Sequence, residues 1–182
     1  MVPSDHAISQ TVQPGDVVLD LGTGSGILAL FACQAGATRV YAVDRTDGLH
    51  LARKLVQDNG FSDRVVLMQN EIRSLELPEM VDGIISELIS KAVVGQQQEA
   101  LISRCRDRFL KPGGWLLPQI VSLCIAPVQA EEVYQELQFP PQSVYSLNFA
   151  SANRLALHHP HSARLDPSSF LAPPQVAYCL VG

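Results

Sequence analysis

A short apolar run that leads directly into a glycine-rich turn is the feature that most constrains how this chain can fold. Residues 17–21 (Val-Val-Leu-Asp-Leu) have the composition of a strand buried on both faces of a parallel sheet. The turn follows at residues 22–26 (Gly-Thr-Gly-Ser-Gly), and residues 27–35 are predicted to form a helix that ends at Gly36. In this order of elements, the main-chain amides of the turn point at whatever lies above the end of the strand.

Strands and helices continue to alternate beyond this first unit. Further strands are predicted at residues 39–44, 64–69 and 81–86 and from Trp115 onward, and further helices at residues 47–59 and 91–109. Such alternation is typical of an α/β fold, here a Rossmann-like, doubly wound, mostly parallel sheet with crossover helices. Residues 1–16 are predicted to lead into the first strand through a turn, and residues 111–114 to terminate the long helix.

The sequence pattern changes after Pro118. Short strand-like runs occur at residues 121–128, 144–147 and 176–180, prolines are frequent from residue 138 on, and helical periodicity is absent there. We therefore expect two domains, residues 1–118 and residues 119–182, of which the second is all β. Because the chain ends at Gly182 just after an apolar run, we expect this second domain to be a truncated, incomplete β-barrel-like region.

Composition excludes several classes of protein. An apolar fraction of 47% in 182 residues excludes a disordered chain and suffices for one buried core. A formal net charge of −5 disfavours a protein that mainly binds a nucleic acid backbone. No apolar run has the length of a membrane span, and no signal peptide is recognised. Four separated cysteines indicate reduced, mostly buried thiols in a cytoplasmic protein, and no metal site is expected.

Two carboxylates near the turn indicate which ligand it binds. Asp44 ends the second strand, 18 residues after Gly26, where a carboxylate can accept both hydroxyls of an adenosine ribose. The glycines are spaced Gly-x-Gly-x-Gly, and Ile27 stands where the dinucleotide pattern requires the third glycine. Asp20 would repel a diphosphate but attract a methionyl ammonium, so the pattern favours S-adenosylmethionine over NAD. A glycine turn that binds no ligand is the alternative.

Several blocks of the sequence resemble the class I methyltransferases and, more narrowly, the protein arginine methyltransferases. The first block is residues 18–28 (Val-Leu-Asp-Leu-Gly-Thr-Gly-Ser-Gly-Ile-Leu) with the small residues that follow it up to Ala37. Residues 75–78, 81–87 and 109–118 match the next blocks of the family. Residues 144–149, 165–167 and 170–171 are similar to the opening of the family's β-barrel. The resemblance covers nearly the whole chain beyond about residue 14.

The resemblance implies a role for individual residues. The first glutamate that holds the substrate guanidinium in the family corresponds to Glu87, which would orient or deprotonate the methyl acceptor, while Asp44 would bind the ribose hydroxyls. Residues that would line the rest of the cofactor site are Asp20, Gly22, Thr23, Gly24 and Gly26 at the methionyl and ribose side, and Asn70, Glu71 and Ile72 at the adenine.

The sequence also departs from the family pattern, most clearly at Gln96. This residue stands where the family has its second substrate-binding glutamate. An amide in place of a carboxylate loses a charge-assisted hydrogen bond to the guanidinium, at a cost of about 1.5–3 kcal/mol. Glu99, one helical turn beyond, is the alternative acid. The tyrosine-rich N-terminal helix of the family has no counterpart in residues 1–14, and its Thr-His-Trp loop would lie beyond Gly182.

Three hypotheses follow from the motifs and their departures. The first is an S-adenosylmethionine-dependent methyltransferase that acts on protein arginine by in-line displacement. The second is a methyltransferase for RNA or a small molecule on the same scaffold, and the third is a non-catalytic cofactor-binding or interaction module. The expected partner is a protein or small-molecule methyl acceptor, with nucleic acid disfavoured and no membrane involved. Exposed sheet edges in the β region make a homodimer plausible.

Overall fold

The computed structural model describes residues 4–88, 96–137, 151, 158–159 and 161–181. These residues fall into two compact units, Met1–Leu123 with Tyr178–Gly182, and Cys124–Ala177. The strands of the central sheet, all in the first unit, are β1 (Val17–Leu21), β2 (Arg39–Asp44), β3 (Val65–Gln69), β4 (Val81–Ser86) and β5 (Leu110–Leu117). They are parallel throughout, in the order β3-β2-β1-β4-β5. The predicted Rossmann-like sheet is confirmed.

The order of the strands determines where a ligand can bind. Chain connections from β1 run outward to β2 and β3 on one side, whereas β4 and β5 lie on the other side. The direction therefore reverses between β1 and β4. In open α/β sheets, ligands bind beyond the carboxyl ends of the strands that flank such a reversal. The carboxyl ends of β1 and β4 are thus the expected place of the functional site.

Helices cover both faces of the sheet, which gives two separate apolar cores. The helices of the first unit are α1 (Ser4–Thr11), α2 (Ile27–Ala35), α3 (Leu49–Asp58) and α4 (Gln96–Phe109). Val18 and Val40 point into the core that contains Ile8 of α1, the buried residues of α2 and Val56 of α3. Leu19 and Tyr41 point into the other core, which contains Phe109 of α4. This alternation along each strand is the reason that the strands read as continuous apolar runs.

Helix α1 was not predicted, since residues 1–16 were expected only to lead into β1. Ile8 and Val12 of this segment are buried, 2% and 3% exposed, in the core beneath α2. These two residues are four positions apart, so they share one helical face. Apart from Ile8, every position of α1 is polar or small, and Ile8 with Val12 just after the helix is too little to establish a period in the sequence. Packing against α2 therefore determines the helix.

Strand β5 begins earlier than predicted and contains the expected turn at residues 111–114. Val81 of β4 pairs with Leu110, whereas Gly83 pairs with Trp115, so the register shifts between the two pairs. The extra residues form a bulge in which Gly113 takes a φ of +79°. The helix ends at Phe109, as predicted, but residues 111–114 lie inside β5 and not in a turn between helix and strand, because a bulge accommodates turn residues inside a strand.

The region after residue 119 is not all β, contrary to the prediction. It contains β6 (Ile120–Ile125) and β7 (Gln175–Val181), which form a separate two-stranded sheet, and a short helix, α5 (Glu131–Glu136). In α5, Glu131 and Glu132 lie in the first turn, where negative charges favour a helix, and Gln135 donates to Glu131 at 2.6 Å. The strand predicted at residues 144–147 lies outside the described residues, and the roles expected for residues 1–118 and 119–182 stay predictions.

The cysteines are only partly as predicted. All four are free thiols, but only Cys33 and Cys105 are buried, whereas Cys124 and Cys179 are exposed. The expectation of mostly buried thiols was therefore wrong for the two cysteines of β6 and β7. Within the described ranges, none of the helices combines the length and the apolar character needed to cross a membrane.

The contact between Gly83 and Trp115 gives a first testable prediction. A Cβ on Gly83 would lie 2.1 Å from atoms of the indole ring, which also donates to Asp16 at 3.2 Å. We expect Gly83→Ala to lower the free energy of unfolding by roughly 2–3 kcal/mol, because the ring must move. In a Trp115→Leu background the same substitution should cost less than about 1 kcal/mol. Urea denaturation of the four proteins measures both costs, and equal costs would contradict this packing.

Candidate active site

Hydrogen bonds tie the glycine turn after β1 to the end of β2. The main-chain amides of Gly22 and Thr23 both donate to the carbonyl of Val43, at 2.8 and 3.0 Å. The amide of Gly26 donates to the carbonyl of Thr23 at 2.8 Å. Gly22, Gly24 and Gly26 have φ values of +75°, +52° and +83°, in the left-handed region that side chains disfavour. The three glycines are therefore required by the path of the backbone.

The three glycines differ in what lies next to them. A Cβ on Gly26 would lie 3.1 Å from the Cβ of Ala52, so this glycine lets the turn pack closely on α3. A Cβ on Gly22 would lie 2.4 Å from Cδ2 of Leu88, in the segment after β4. At Gly24 the nearest atom would be the main-chain oxygen of Gly22 at 4.0 Å. Gly24 is therefore the glycine of the turn that a ligand can approach.

Asp44, at the end of β2, is already held by hydrogen bonds. Its Oδ2 accepts from the amide of Gly24 at 2.8 Å, and its Oδ1 accepts from the amide and hydroxyl of Thr46 at 2.8 and 2.7 Å. Partial burial acts to raise the pKa of Asp44, but the bonds from Thr46 and Gly24 outweigh it and lower the pKa below its usual value. Asp44 is consequently a fixed, ionised acceptor beside the open glycine.

Asp20 lies at the end of β1, completely buried beneath the turn. Its Oδ2 accepts a hydrogen bond of 2.5 Å from the hydroxyl of Thr23. Its Oδ1 is the one buried side-chain oxygen or nitrogen without a hydrogen-bond partner in the described part of the chain. Burial raises the pKa of Asp20 to about 7, and the nearby charges of Asp44 and Glu87 act in the same direction.

Glu87 follows β4 directly and is exposed. Because Leu21 pairs with Ser86, Glu87 lies just beyond the carboxyl end of β1, and its charge acts on Asp20. Gln96, the other predicted substrate-binding residue, is the first residue of α4, and its side chain lies outside the described part of the structure. The structure thus brings Glu87 to the site, while the contacts of Gln96 stay a prediction.

The residues predicted to flank the adenine follow β3 at the same edge of the sheet. The amide of Asn70 donates to the main-chain carbonyl of Asp44 at 3.0 Å. Glu71 is exposed and lies 3.7 Å from Arg45, whereas Ile72 is partly buried against the core that contains α4. All described side chains predicted for the site therefore lie on segments at the carboxyl ends of β1 to β4.

Sequence reasoning missed two residues that shape this edge. Thr46 gives Asp44 two of its hydrogen bonds, and Leu88 packs on Gly22. The Thr46 bonds could have been found from the spacing, because an aspartate commonly accepts from the residue two positions on. The contact of Leu88 could not, since it joins segments 66 residues apart in the sequence.

A family model and related proteins identify the scaffold. The model described as Ribosomal protein L11 methyltransferase (PrmA) matches residues 5–138, about three quarters of the chain. The chain belongs to this methyltransferase family. Among curated relatives, "Probable protein arginine N-methyltransferase 6.2" of Oryza sativa subsp. indica is 39% identical over 147 residues, and "Protein arginine N-methyltransferase 6" of Xenopus laevis is 42% identical over 125 residues. These alignments cover 81% and 69% of this chain, but only 37% of each relative.

Solved structures give the same result. The Trypanosoma brucei PRMT1 enzyme–prozyme heterotetrameric complex with AdoHcy superposes with a TM-score of 0.84 at 27% identity, over 98% of this chain and 57% of that one. Arabidopsis thaliana protein arginine methyltransferase 10, in an open conformation, superposes with a TM-score of 0.75 at 27% identity, over 98% and 58%. The resemblance of this methyltransferase-family chain to the protein arginine methyltransferases is confirmed.

The buried Asp20 makes the stability of this family member depend on pH. With a pKa of about 7 in the folded protein and about 3.8 when unfolded, Asp20 keeps its proton between these values only in the folded state. The free energy of unfolding therefore falls as the pH rises from 4 to 7. We expect Asp20→Asn, which cannot ionise, to stabilise the protein at pH 8 by on the order of 4 kcal/mol and to have little effect near pH 4.

Urea denaturation at pH 4.5 and pH 8 measures this difference. Asp63→Asn is the matched control, because Asp63 is exposed and precedes β3 at the amino end of the sheet. This control should change stability little at either pH. A stabilisation by Asp20→Asn that is the same at both pH values would contradict a protonated Asp20 in the folded protein.

Proposed function

We propose that the protein is an S-adenosylmethionine-dependent methyltransferase that methylates arginine side chains of proteins. The observation that carries the proposal is the meeting of Asp20, Asp44 and Glu87 around the glycine turn, where the strand order reverses. Membership of a methyltransferase family supports the reaction, and the names of the relatives support the substrate. The chain spans about 37% of the length of those relatives.

The residues of the site fit S-adenosylmethionine. An approach of the ligand to the main chain needs the space that Gly24 leaves open, and a positively charged methionyl end suits the unpartnered Oδ1 of Asp20. Within the described part of the chain, Oδ2 of Asp44 accepts one hydrogen bond, from the amide of Gly24. A lone pair of Oδ2 is therefore left to accept from a ribose hydroxyl. The cofactor would lie along Gly22, Thr23, Gly24 and Gly26, with Asn70, Glu71 and Ile72 at its adenine.

The reaction requires little more of the protein than alignment and the exclusion of water, because the sulfonium of the bound cofactor supplies an already activated methyl group. Glu87 is the proposed contact for the acceptor, because it is exposed and lies beyond the end of β1. Its carboxylate would pair with a guanidinium through charge-assisted hydrogen bonds and hold the attacking nitrogen in line. Gln96 is the proposed second contact to the guanidinium.

The amide at position 96 supports a second candidate, a methyltransferase of the same scaffold that acts on RNA or a small molecule. A guanidinium that meets one carboxylate and one amide is held less strongly than one that meets two carboxylates. An acceptor without a permanent charge makes no such charge-assisted bond, so an amide in place of the carboxylate does not weaken its binding. The homodimer and the cytoplasmic location expected from the sequence stay predictions.

Cofactor binding is tested by calorimetric titration with S-adenosylhomocysteine. We expect binding by the folded wild-type chain and a loss of about 10- to 100-fold in affinity for Asp44→Ala, because a charge-assisted hydrogen bond to the ribose is removed. Asp58→Ala is the control, since that exposed aspartate pairs only with Lys54 on α3 among the contacts found. A folded wild-type chain that does not bind would contradict the proposal.

Methyl transfer is tested with S-adenosylmethionine labelled in its methyl group and an arginine-rich peptide. We expect methylarginine in the hydrolysed peptide, and a loss of at least about 100-fold in rate for Glu87→Gln, because the guanidinium loses its charged partner. Asp58→Asn should keep the wild-type rate. Label transferred to RNA or a small molecule but not to arginine would favour the second candidate. Cofactor binding without any transfer would favour a non-catalytic module.

A further inference from the structure

We propose that binding of the cofactor at this site expels a proton from Asp20, so that the positive methionyl end of the cofactor takes the place of that proton. The proposal rests on the proposed function and concerns how the same site is regulated. It predicts that affinity for the cofactor depends on pH near neutrality.

The surroundings of Asp20 suit a neutral carboxyl group in the free protein. Its side chain is fully buried, and the hydrogen bond from Thr23 serves only one of its two oxygens. An ionised carboxylate has about four acceptor sites and is costly to bury with so few donors. Protonation removes the charge and turns one oxygen into a donor. In the free protein the site therefore favours the protonated form of Asp20, whereas a positive charge from a ligand would favour the ionised form.

The charged groups nearest to Asp20 make this preference stronger. From β2 and the end of β4, Asp44 and Glu87 both act on Asp20 with negative charge. Helix α2 (Ile-Leu-Ala-Leu-Phe-Ala-Cys-Gln-Ala), which packs on β1, carries no charged side chain. The main-chain amide of Ala29 in this helix acts to lower the pKa of Asp20, but burial outweighs it. Among the residues that the structure describes, no positive side chain is a main influence on the pKa of Asp20.

The other charges on the neighbouring strands are held elsewhere. Arg39 is at the start of β2 and pairs with Glu79 at 2.8 Å. Asp82 is near the start of β4 and accepts from Lys111 at 2.7 Å. Both pairs lie toward the amino ends of the strands, whereas Asp20 is at a carboxyl end. A positive charge brought by a ligand is thus the partner that this carboxyl group lacks.

The protonated carboxyl group of Asp20 meets a positively charged group of the cofactor, the O–H bond breaks, the proton passes to the buffer, and the carboxylate remains as the partner of the cation. Because burial raises the pKa of free Asp20 to about 7, this step is needed below neutral pH and is already complete above it. Affinity should therefore rise about tenfold between pH 6 and pH 8 and level off above that.

Titration calorimetry of the whole chain measures the proton directly. S-adenosylhomocysteine and S-adenosylmethionine are each titrated in two buffers with different enthalpies of ionisation, at pH 6, 7 and 8.5. The difference in observed enthalpy gives the number of protons released. We expect nearly one at pH 6, about half at pH 7 and almost none at pH 8.5. Asp20→Asn should bind without release, and Asp63→Asn should behave as wild type.

A second measurement does not require the Asp20→Asn variant to bind. In carbon-13 NMR spectra, the carboxyl carbon of Asp20 should titrate near pH 7 in the free protein and show no titration between pH 5 and 9 in the complex. Assignment follows from the signal that is missing in Asp20→Asn. Release with both ligands would identify the ammonium as the cation, and release with S-adenosylmethionine alone would identify the sulfonium. Either result supports the proposal.

If the chain binds at pH 6 with the same observed enthalpy in both buffers, the proposal is overturned and the proposed function stays intact. Release that persists in Asp20→Asn would also overturn it, because another group would then be losing the proton. If the folded wild-type chain binds neither ligand at pH 8.5, where no proton has to leave, the proposed function fails and the proton exchange fails with it.

Discussion

Parallel pairing of β1 with both β2 and β4 is the interaction on which the rest of this structure depends. All strands of the sheet point the same way, so every chain segment that leaves a strand does so at one edge. The turn after β1 is bonded to the carbonyl of Val43, and the pairing of Leu21 with Ser86 fixes where Glu87 begins. Side chains that are distant in the sequence thereby share one small region.

This arrangement brings negatively charged groups close to a buried carboxyl group, which does not stabilise the free protein. Asp20 is buried with an unsatisfied oxygen, and the carboxylates of Asp44 and Glu87 act on it. Asp82, by contrast, has a lysine and a main-chain amide as partners at the other edge of the sheet. A local conflict of this kind is common at functional sites, because the missing partner is supplied by a ligand. The same carboxylate that opposes folding at neutral pH is thus suited to bind a cation.

Much of the sheet could be predicted from the sequence, because β1, β2 and β4 are buried on both faces and are therefore mostly apolar. Val17–Leu21, Arg39–Asp44 and Val81–Ser86 were predicted with the bounds that the structure has. Helix α1 could not be predicted in this way, since Ile8 is its only large apolar residue, and the burial of Ile8 and of Val12 just after the helix depends on α2. Nor could the bulge of β5, which depends on how Leu110 and Trp115 pair with a strand distant in the sequence.

For the site, the sequence by itself determined the residue types and their local order. The glycines of the turn, Asp20 before it and Asp44 at the end of the next strand are local features, because backbone conformation and strand length act over a few residues. Only the tertiary structure decided that the amide of Gly24 binds Asp44, that Leu88 packs on Gly22, and that Asp20 is buried without a partner for Oδ1. Burial and charge proximity depend on every segment that surrounds a group, so no short stretch of sequence contains them.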